Sequence, residues 1–270
     1  MSTRTTLDYA VFISDPILNV PLASTLVFGE RDAVLVDVPT TDAQAENLAV
    51  RVIATGKRLT HIFITHGHGD HWFGLSVLLR HFPDAEVVAT EGAIAMMAIQ
   101  GSAELRSQVY DPLYPGQIGD TSVVARPTRT GIIDLEGHEL RIVDVGHTDT
   151  DATSVLHVRS LGLVAAGDAA YNGVHQYLME SDAEGRKAWL AGIDTIEALE
   201  PRVVVAGHKN PNLDDEAGRV LAGTREYLRT VEGVAAEQHD AEGFFDTMTK
   251  RYPDWLNPMV VRMNASVLYA

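Results

Sequence analysis

The chain is predicted to fold as an α+β protein in which layered sheets carry helices on their outer sides. Over the first 210 residues, short apolar runs bounded by Gly, Asp or Pro alternate with segments of helical periodicity. After residue 208 the pattern becomes helical. Hydrophobic residues make up 46% of the 270 residues and charged residues 21%, which is typical of a globular protein with a sizeable core.

Seven apolar runs are predicted to be strands because they are rich in β-branched and aliphatic residues. They cover residues 33–37, 61–65, 86–90, 140–145, 153–158, 163–166 and 203–206. Three helices are predicted between them, at residues 42–55, 74–82 and 186–199. Asp42 is placed to cap the first of these helices, and the glycine at position 56 to end it.

The residues after 210 are predicted to form a helical extension. Apolar side chains recur at helical spacing over residues 213–231. A final helix begins at Asn257, an N-cap residue that is followed by Pro258 at the first helical position. One face of this helix carries Leu256, Met259, Val260, Met263 and Val267. We expect this face to pack on the same chain, with a subunit contact in a homo-oligomer as the alternative.

The amino-acid composition excludes several kinds of binding partner and of chemistry. The 21 Lys and Arg against 37 Asp and Glu leave a net charge of −16, which repels phosphate backbones and makes nucleic acid an unsuitable partner. The absence of cysteine excludes disulfides, zinc–thiolate sites and thiol catalysis. No apolar run is long enough to span a membrane, and the polar N-terminus does not resemble a secretory signal. We expect a cytoplasmic protein that acts on a small molecule, without a membrane partner.

The residues that can bind metal are concentrated directly after the second predicted strand. The sequence HGHGDH at residues 66–71 places three histidines and an aspartate within six positions. Zinc binds neutral imidazole nitrogen and carboxylate oxygen. His66 and His68 can turn toward one centre, because a glycine separates them in a loop. Asp70 and His71 are expected to begin the next helix and can face a second centre.

Three later apolar runs each end in glycine followed by a residue that can bind metal. The pairs are Gly146 with His147, Gly167 with Asp168, and Gly207 with His208. Strand ends at one sheet edge lie near each other, and glycine permits a tight turn just before the ligand. The sequence therefore predicts that these side chains converge with the histidine cluster on one metal site.

In this order, the HxHxDH motif at 66–71 followed by His147, Asp168 and His208 resembles the metallo-β-lactamase fold superfamily. The resemblance covers roughly residues 20 to 210. It implies a four-layer αββα sandwich with the metal site at one edge of the two sheets. We predict one domain over residues 1–270, with the metal-binding core at 20–210 and a helical C-terminal extension at 211–270.

The resemblance also implies a role for each ligand. His66, His68 and His147 would hold the first metal. Asp70, His71 and His208 would hold the second metal. Asp168 would bridge both ions, and Asp37 matches an aspartate of structural role in the family.

A ligand set of this kind implies a metal-dependent hydrolase with two zinc ions per chain, with iron and manganese as alternatives. With a bridging aspartate and no cysteine, it looks more like the lactonases and glyoxalase II-type thioesterases than the antibiotic-hydrolysing members. We predict that a hydroxide held between the metals and oriented by Asp70 cleaves a small carbonyl compound, with a lactone or ester favoured. The alternatives are a thioesterase, a β-lactamase, a mononuclear iron dioxygenase and a non-catalytic metal-binding module.

Three further features are candidates for substrate contact. Tyr171 follows Asp168 by three residues, the offset at which some lactonases of the superfamily carry a tyrosine that hydrogen-bonds the substrate oxygen. By that resemblance Tyr171 would donate to the developing oxyanion, with a packing role as the alternative. His175 could enter the pocket. The stretch at residues 110–116, which contains Tyr, Pro and Gly, suits a loop over the site.

Overall fold

The computed structural model describes residues 6–16 and 20–269, and within them two sheets lie at the centre of the fold. The strands of the first sheet, in their spatial order, are β1 (Asp8–Ile13), β2 (Ala23–Phe28), β3 (Asp32–Val36), β4 (Arg58–Phe63), β5 (Glu86–Ala89) and β6 (Arg126–Pro127). The pairs β1–β2 and β2–β3 are antiparallel, and β3 to β6 are parallel. The parallel strands β3, β4 and β5 therefore end at the same edge of this sheet.

The second sheet has the spatial order β11-β10-β9-β8-β7. Its strands are β7 (Ile132–Leu135), β8 (His138–Gly146), β9 (Thr153–Val158), β10 (Leu163–Asn172) and β11 (Val203–Lys209). All neighbouring pairs are antiparallel except β10 and β11, which are parallel. The parallel pair brings the ends of β10 and β11 to one edge, where both strands carry residues that can bind metal.

Helices cover the outer side of each sheet. Those of the first half are α1 (Asp42–Ala54), α2 (Leu75–His81), α3 (Glu91–Gln100), α4 (Ala103–Leu105) and α5 (Asp111–Leu113), with a π-helical turn at Arg106–Tyr110 between the last two. Those of the second half are α6 (Ala183–Glu197), α7 (Ala217–Glu237), α8 (Ala241–Arg251) and α9 (Pro258–Leu268). Among the helices of the described residues, none combines the length and the apolar character needed to cross a membrane.

The cores show that the layers are stacked helix, sheet, sheet, helix. Along β2, Leu26 packs with side chains of α1 to α3, while the next residue, Val27, packs between the two sheets. Along β10, Leu163 lies between the sheets and Val164 packs against Trp189 of α6 and the C-terminal helices. This alternation follows from the two-residue period of a strand that is buried on both faces. The predicted four-layer αββα fold with C-terminal helices is confirmed.

Two local predictions were wrong. Thr41, not Asp42, caps α1: its hydroxyl accepts from the Gln44 amide, and the Gln44 side chain accepts from the Thr41 amide in a capping box. The face of α9 that packs on the chain is also different from the expected one. Its buried residues are Val260, Val261, Asn264 and Ala265, whereas Met259 is 61% exposed and Met263 and Val267 are exposed as well.

A buried polar side chain determines which face of α9 packs on the chain. The side chain of Asn264 accepts from the Leu178 amide at 2.9 Å and donates to the Gln176 carbonyl at 2.8 Å. These backbone groups are buried and would be costly to leave unpaired, so Asn264 faces inward. A count of apolar residues alone could not reveal this contact.

Candidate metal centre

Six of the seven predicted ligand residues come together at the edge where β3, β4, β10 and β11 end. His66 and His68 lie in the loop after β4, and Asp70 and His71 in a 3-10 turn at Gly69–His71. The other two are held within strands: Asp168 in β10 and His208 in β11. The first four therefore approach from one sheet and the last two from the other.

Glycines make this approach of the two sheets close enough. Gly167 has a φ of 50°, and a Cβ there would lie 2.3 Å from Thr65 Oγ1 of the histidine loop. A Cβ on Gly207 would lie 2.3 Å from Asp168 Oδ1 of the neighbouring strand and 3.0 Å from His71 Cε1, which follows a strand of the other sheet. Any larger residue at either position would therefore push a metal-binding segment away.

Histidine and carboxylate side chains form three groups whose ligand atoms all lie within 4.8 Å of one another. The first group is His66, His68 and Asp149; the second is His66, His71 and Asp168; the third is Asp70, His71 and His208. Because neighbouring groups share His66 or His71, the three form one continuous cluster of potential ligands.

Asp168 belongs to the second group and also lies beside His208 of the third. Its Oδ1 lies 3.2 Å from His71 Nε2, and its Oδ2 lies 3.3 Å from His208 Nε2. Asp70 Oδ2 lies 3.2 Å from the same His208 nitrogen. A carboxylate whose two oxygens face different imidazoles has the arrangement needed to share two cations.

Several ligand atoms of this cluster have no hydrogen-bond partner. Among the described residues these buried atoms include His66 Nε2, His71 Nε2, Asp149 Oδ2 and Asp168 Oδ1. Buried polar atoms are normally paired, since leaving them unpaired costs free energy. All four are nitrogen or oxygen donors of the kind that zinc and similar ions take up. The residues present therefore fit divalent metal ions.

The imidazoles are oriented from behind by Asp37 and Thr65. Asp37 accepts from the Thr65 amide at 2.9 Å and from the Thr65 hydroxyl at 2.8 Å, and its Oδ2 lies 2.8 Å from His71 Nδ1. The same Thr65 hydroxyl lies 3.0 Å from His66 Nδ1. Contacts of this type hold the ring and its tautomer so that Nε2 faces the metal.

His68 and His208 are held in the same way from other parts of the chain. His208 Nδ1 lies 3.1 Å from the Pro21 carbonyl oxygen. His68 Nε2 lies 3.2 Å from Glu180 Oε1, and the other Glu180 oxygen accepts from the Thr150 hydroxyl at 2.6 Å. Glu180 was not among the residues expected from the sequence. It lies before α6, and no local pattern marks it as a neighbour of His68.

The close packing of histidines and carboxylates shifts the pKa values of several members of the cluster. Burial disfavours the protonated forms of His208 and His71, yet Asp168 and Asp70 raise the pKa of His208 to about 10, and Asp168 and Asp37 raise the pKa of His71 well above its ordinary value. These imidazoles in turn hold the pKa of Asp168 well below its usual range. At His66, burial and the neighbouring His71 lower the pKa to about 4. The ionised carboxylates of Asp70 and Asp168 thus stabilise positive charge at the centre, whether protonated imidazoles or a bound cation carry it.

The structure does not bring His147 into any of the three groups. Its Nδ1 lies 2.6 Å from Asp151 Oδ1 and its Nε2 lies 3.1 Å from Ser181 Oγ. Asp149, two residues later, lies beside the first two histidines instead, with Oδ2 2.9 Å from His68 Nδ1. The only sequence signal for Asp149 was its closeness to His147 in the segment HTDTD at 147–151.

Tyr171 contacts the centre by a hydrogen bond to the predicted ligand Asp168. The tyrosine is 2% exposed, and its hydroxyl donates to Asp168 Oδ2 at 2.5 Å. Burial and the Asp168 charge raise the pKa of the hydroxyl well above its ordinary value, so it remains a donor. The contact present in the structure is therefore with Asp168, while donation to a substrate oxyanion stays a prediction.

The stretch at residues 110–116 borders the centre. The Tyr110 hydroxyl accepts from the Gly69 amide at 3.0 Å and donates to Gln100 Oε1 at 2.7 Å. Tyr114 lines a cleft together with Asp70 and His208. This stretch therefore fixes the histidine loop and forms one wall of the approach to it.

His175 lies elsewhere. It is buried, its Nδ1 is 2.9 Å from the Tyr227 hydroxyl, and its ring packs edge-on against Tyr227 and Tyr252. The Trp255 ring completes this aromatic cluster, stacking on Tyr227 at 5.1 Å between ring centroids. These contacts join α7 to the segment before α9, so His175 serves packing in this structure.

The four-layer fold and a cluster of His and Asp residues at the sheet edge define a class of metal-binding proteins that are mostly hydrolases. Residues 20–208 match the family model of the Metallo-beta-lactamase superfamily. The chain belongs to this superfamily.

Two known proteins are similar in sequence to parts of this chain. The Bacillus subtilis protein YobT, whose name describes it as uncharacterized, is 31% identical over 150 residues, which are 55% of this chain and 62% of that protein. A hydroxyacylglutathione hydrolase from Synechococcus sp. is 44% identical over 61 residues, 23% of this chain and 22% of that enzyme. The chain thus spans less than two thirds of the length of each of these relatives.

Solved structures share the fold over more of the chain. A metallo-beta-lactamase family protein from Thermus thermophilus superposes with a TM-score of 0.69, covering 98% of this chain and 91% of that one at 19% identity. A metallo-beta-lactamase from Pontibacter korlensis gives 0.63, covering 85% and 97% at 17% identity. At these identities the likeness concerns the fold.

Proposed function

We propose that this protein is a hydrolase that depends on two divalent metal ions, zinc in the first instance, and cleaves a lactone or ester of a small molecule. Membership of the superfamily and the His and Asp cluster support the metal-dependent hydrolase. The choice of a lactone or ester rests on the ligand set, which contains aspartate and no cysteine.

The observation that carries this proposal is the position of Asp168. Its two carboxylate oxygens face His71 and His208 separately, at 3.2 and 3.3 Å. An ion held by His71 and a second ion held by His208 could each take one of these oxygens. Two ions a few ångströms apart need a shared anionic ligand, because the carboxylate offsets their mutual repulsion.

When bound, the ions would supply Lewis acidity, lowering the pKa of a water molecule and polarising the carbonyl group of the substrate. The chain supplies the rest of the site. Asp70 has 26% of its side chain exposed against 3% for Asp168, so it is the carboxylate open to the cleft. Its pKa is held low by His71 and His208 despite burial, so its Oδ atoms stay ionised and can orient a water molecule.

The cleft beside Asp70 and His208 has room for about one water molecule and would admit the attacking water. It is lined by the polar side chains of Ser14, Thr40, Gln44 and Tyr114 and by the apolar Val20, Leu22 and Pro39.

A thioester is the second candidate. The match of 61 residues to a hydroxyacylglutathione hydrolase favours it, since that name describes an enzyme acting on a glutathione thioester. Esters, lactones and thioesters share the attacked carbonyl carbon and differ in the leaving group. The same site residues would serve each of them.

The test is a hydrolysis panel on zinc-loaded protein that includes lactones, simple esters, glutathione thioesters, β-lactams and phosphodiesters. We expect turnover of a lactone or ester, its loss after removal of metal by a chelator, and its loss in Asp168→Asn. His157→Asn, a change on β9, is the matched control and should keep the rate. Turnover of thioesters alone would favour the second candidate. Protein with two bound ions and no activity on any carbonyl substrate would contradict both.

A further inference from the structure

We propose that Asp149 is a metal ligand in the group it forms with His66 and His68, and that His147 is not. The inference rests on the proposed function in one respect, which is that the chain binds divalent ions. It concerns which residue of the loop between β8 and β9 completes the first metal position. The sequence pattern favours His147 there, whereas the geometry points to Asp149.

The side chain of Asp149 is fully buried and directed at the two histidines. Its Oδ2 lies 2.9 Å from His68 Nδ1 and 3.8 Å from His66 Nε2. Neither Oδ2 nor His66 Nε2 makes a hydrogen bond of acceptable geometry among the described residues. Three donor atoms at these distances can share one ion, and zinc sites with two histidines and a carboxylate are well known. An ion would satisfy both unpaired atoms at once.

The second carboxylate oxygen is fixed, so the orientation of Asp149 is not accidental. Asp149 Oδ1 accepts from the Thr148 hydroxyl at 2.9 Å, and that hydroxyl lies 2.8 Å from Thr153 Oγ1, from which it can accept. The Thr148 amide donates to the Thr150 carbonyl at 2.9 Å. All of these residues are buried, so the loop holds the carboxylate with one oxygen anchored and the other aimed at the histidines.

His147 is engaged on the other side of the loop. Both of its ring nitrogens have partners, with Nδ1 2.6 Å from Asp151 Oδ1 and Nε2 3.1 Å from Ser181 Oγ. Its ring also lies against the start of α6, since a Cβ on Gly185 would come within 2.6 Å of Nε2. To bind the metal through Nε2, His147 would have to give up its contact to Ser181 and turn toward the position that the anchored carboxylate occupies.

The experiment compares Asp149→Ala with His147→Ala, two truncations on the same loop. Zinc affinity is measured by competition with a chromophoric chelator at fixed pH, and bound zinc per chain by elemental analysis. We expect Asp149→Ala to lose one ion or to bind it at least about 100-fold more weakly, since losing a residue that only hydrogen-bonds a ligand already costs about 10–100-fold. His147→Ala should bind both ions as the unaltered protein does.

A folding control keeps the comparison interpretable. Circular dichroism of the chelated variants shows whether each one folds. If Asp149→Ala does not, Asp149→Asn keeps the volume and the contact to Thr148 while removing the charge, and its zinc affinity should fall by at least about 10-fold.

The outcomes separate this proposal from the proposed function. Loss of an ion in His147→Ala overturns the proposal, whether or not Asp149→Ala also loses one. Full retention of both ions in Asp149→Ala and Asp149→Asn overturns it as well, while leaving the hydrolase proposal intact. An unaltered protein that takes up no zinc at all would contradict the hydrolase proposal and this one together.

Discussion

Replacing Tyr171 by Phe removes one hydroxyl from the centre and leaves the packing of the ring unchanged. The hydroxyl donates to Asp168 Oδ2 at 2.5 Å in a fully buried setting. A hydrogen bond to a charged group contributes about 1.5–3 kcal/mol. If that bond positions Asp168 as a ligand, its loss appears as weaker metal binding. We expect zinc affinity to fall by about 10–100-fold, a range that corresponds to about 1.4–2.8 kcal/mol and agrees with the hydrogen-bond figure.

Chelator competition and steady-state kinetics on the same sample measure this effect. At saturating zinc, Tyr171→Phe should recover most of its kcat, because the ring still packs beside Trp189 and His208. Tyr227→Phe is the matched control, since Tyr227 is also buried but pairs with His175 away from the ligands. It should leave zinc affinity unchanged. A drop in kcat at full metal occupancy, with zinc affinity unaltered, would refute the positioning role and assign Tyr171 to the substrate oxyanion.

Three further outcomes follow from the same contacts. Protein saturated with zinc should hold two ions per chain by elemental analysis, and Asp168→Ala should lose at least one of them with most of the activity; full occupancy in that variant would exclude a bridging role. Asp37→Ala should lower the free energy of unfolding of the metal-free protein by about 3–5 kcal/mol in urea titrations, because Thr65 and His71 lose a buried anionic partner; an unchanged midpoint would contradict this. His175 has its pKa lowered to about 4 by burial, so the unfolded chain binds its proton more tightly and stability should rise with pH between about 4 and 6.5. Urea titrations of His175→Gln should show a free energy of unfolding that changes less with pH over this range. An equal change with pH in both proteins would refute the role of His175.

The convergence of ligands could be predicted because it depends on local order. Each ligand follows an apolar run, and the ends of neighbouring apolar runs meet at one edge of a sheet, although β10 and β11 continue through Asp168 and His208. That argument holds for His66, His68, Asp168 and His208 without any knowledge of the loops. It also predicted the layers, since buried strands alternate with amphipathic helices. The strands β1, β2, β6 and β7 were not among the predicted strands, although β1 (DYAVFI) and β2 (ASTLVF) are rich in residues that favour strands.

The loop at residues 147–151 shows where such reasoning stops. His147 and Asp149 are two positions apart, and both are good ligands by residue type. Which of them faces the histidines depends on the path of the backbone, including a left-handed Ala152 with φ of 59°, and on the contacts of Thr148 and Ser181. Those partners lie on different elements, and a residue pattern does not encode the direction of a side chain in an irregular loop.

The order and type of the residues were thus sufficient for layered sheets with helices outside and for the convergence of most ligand side chains at one sheet edge, because strand periodicity and strand ends are local properties. The four-layer αββα arrangement was implied by the resemblance to the superfamily. The hydrogen-bond partners of those side chains could not be predicted from the sequence. Glu180 beside His68 and the inward face of α9 arise from contacts between segments that meet only in the folded chain, and the Tyr171 contact to Asp168 depends on the local path of β10. Contacts of this kind form only when the layers pack. Packing buries polar groups, and the need to give each buried group a hydrogen-bond partner determines which side chains meet.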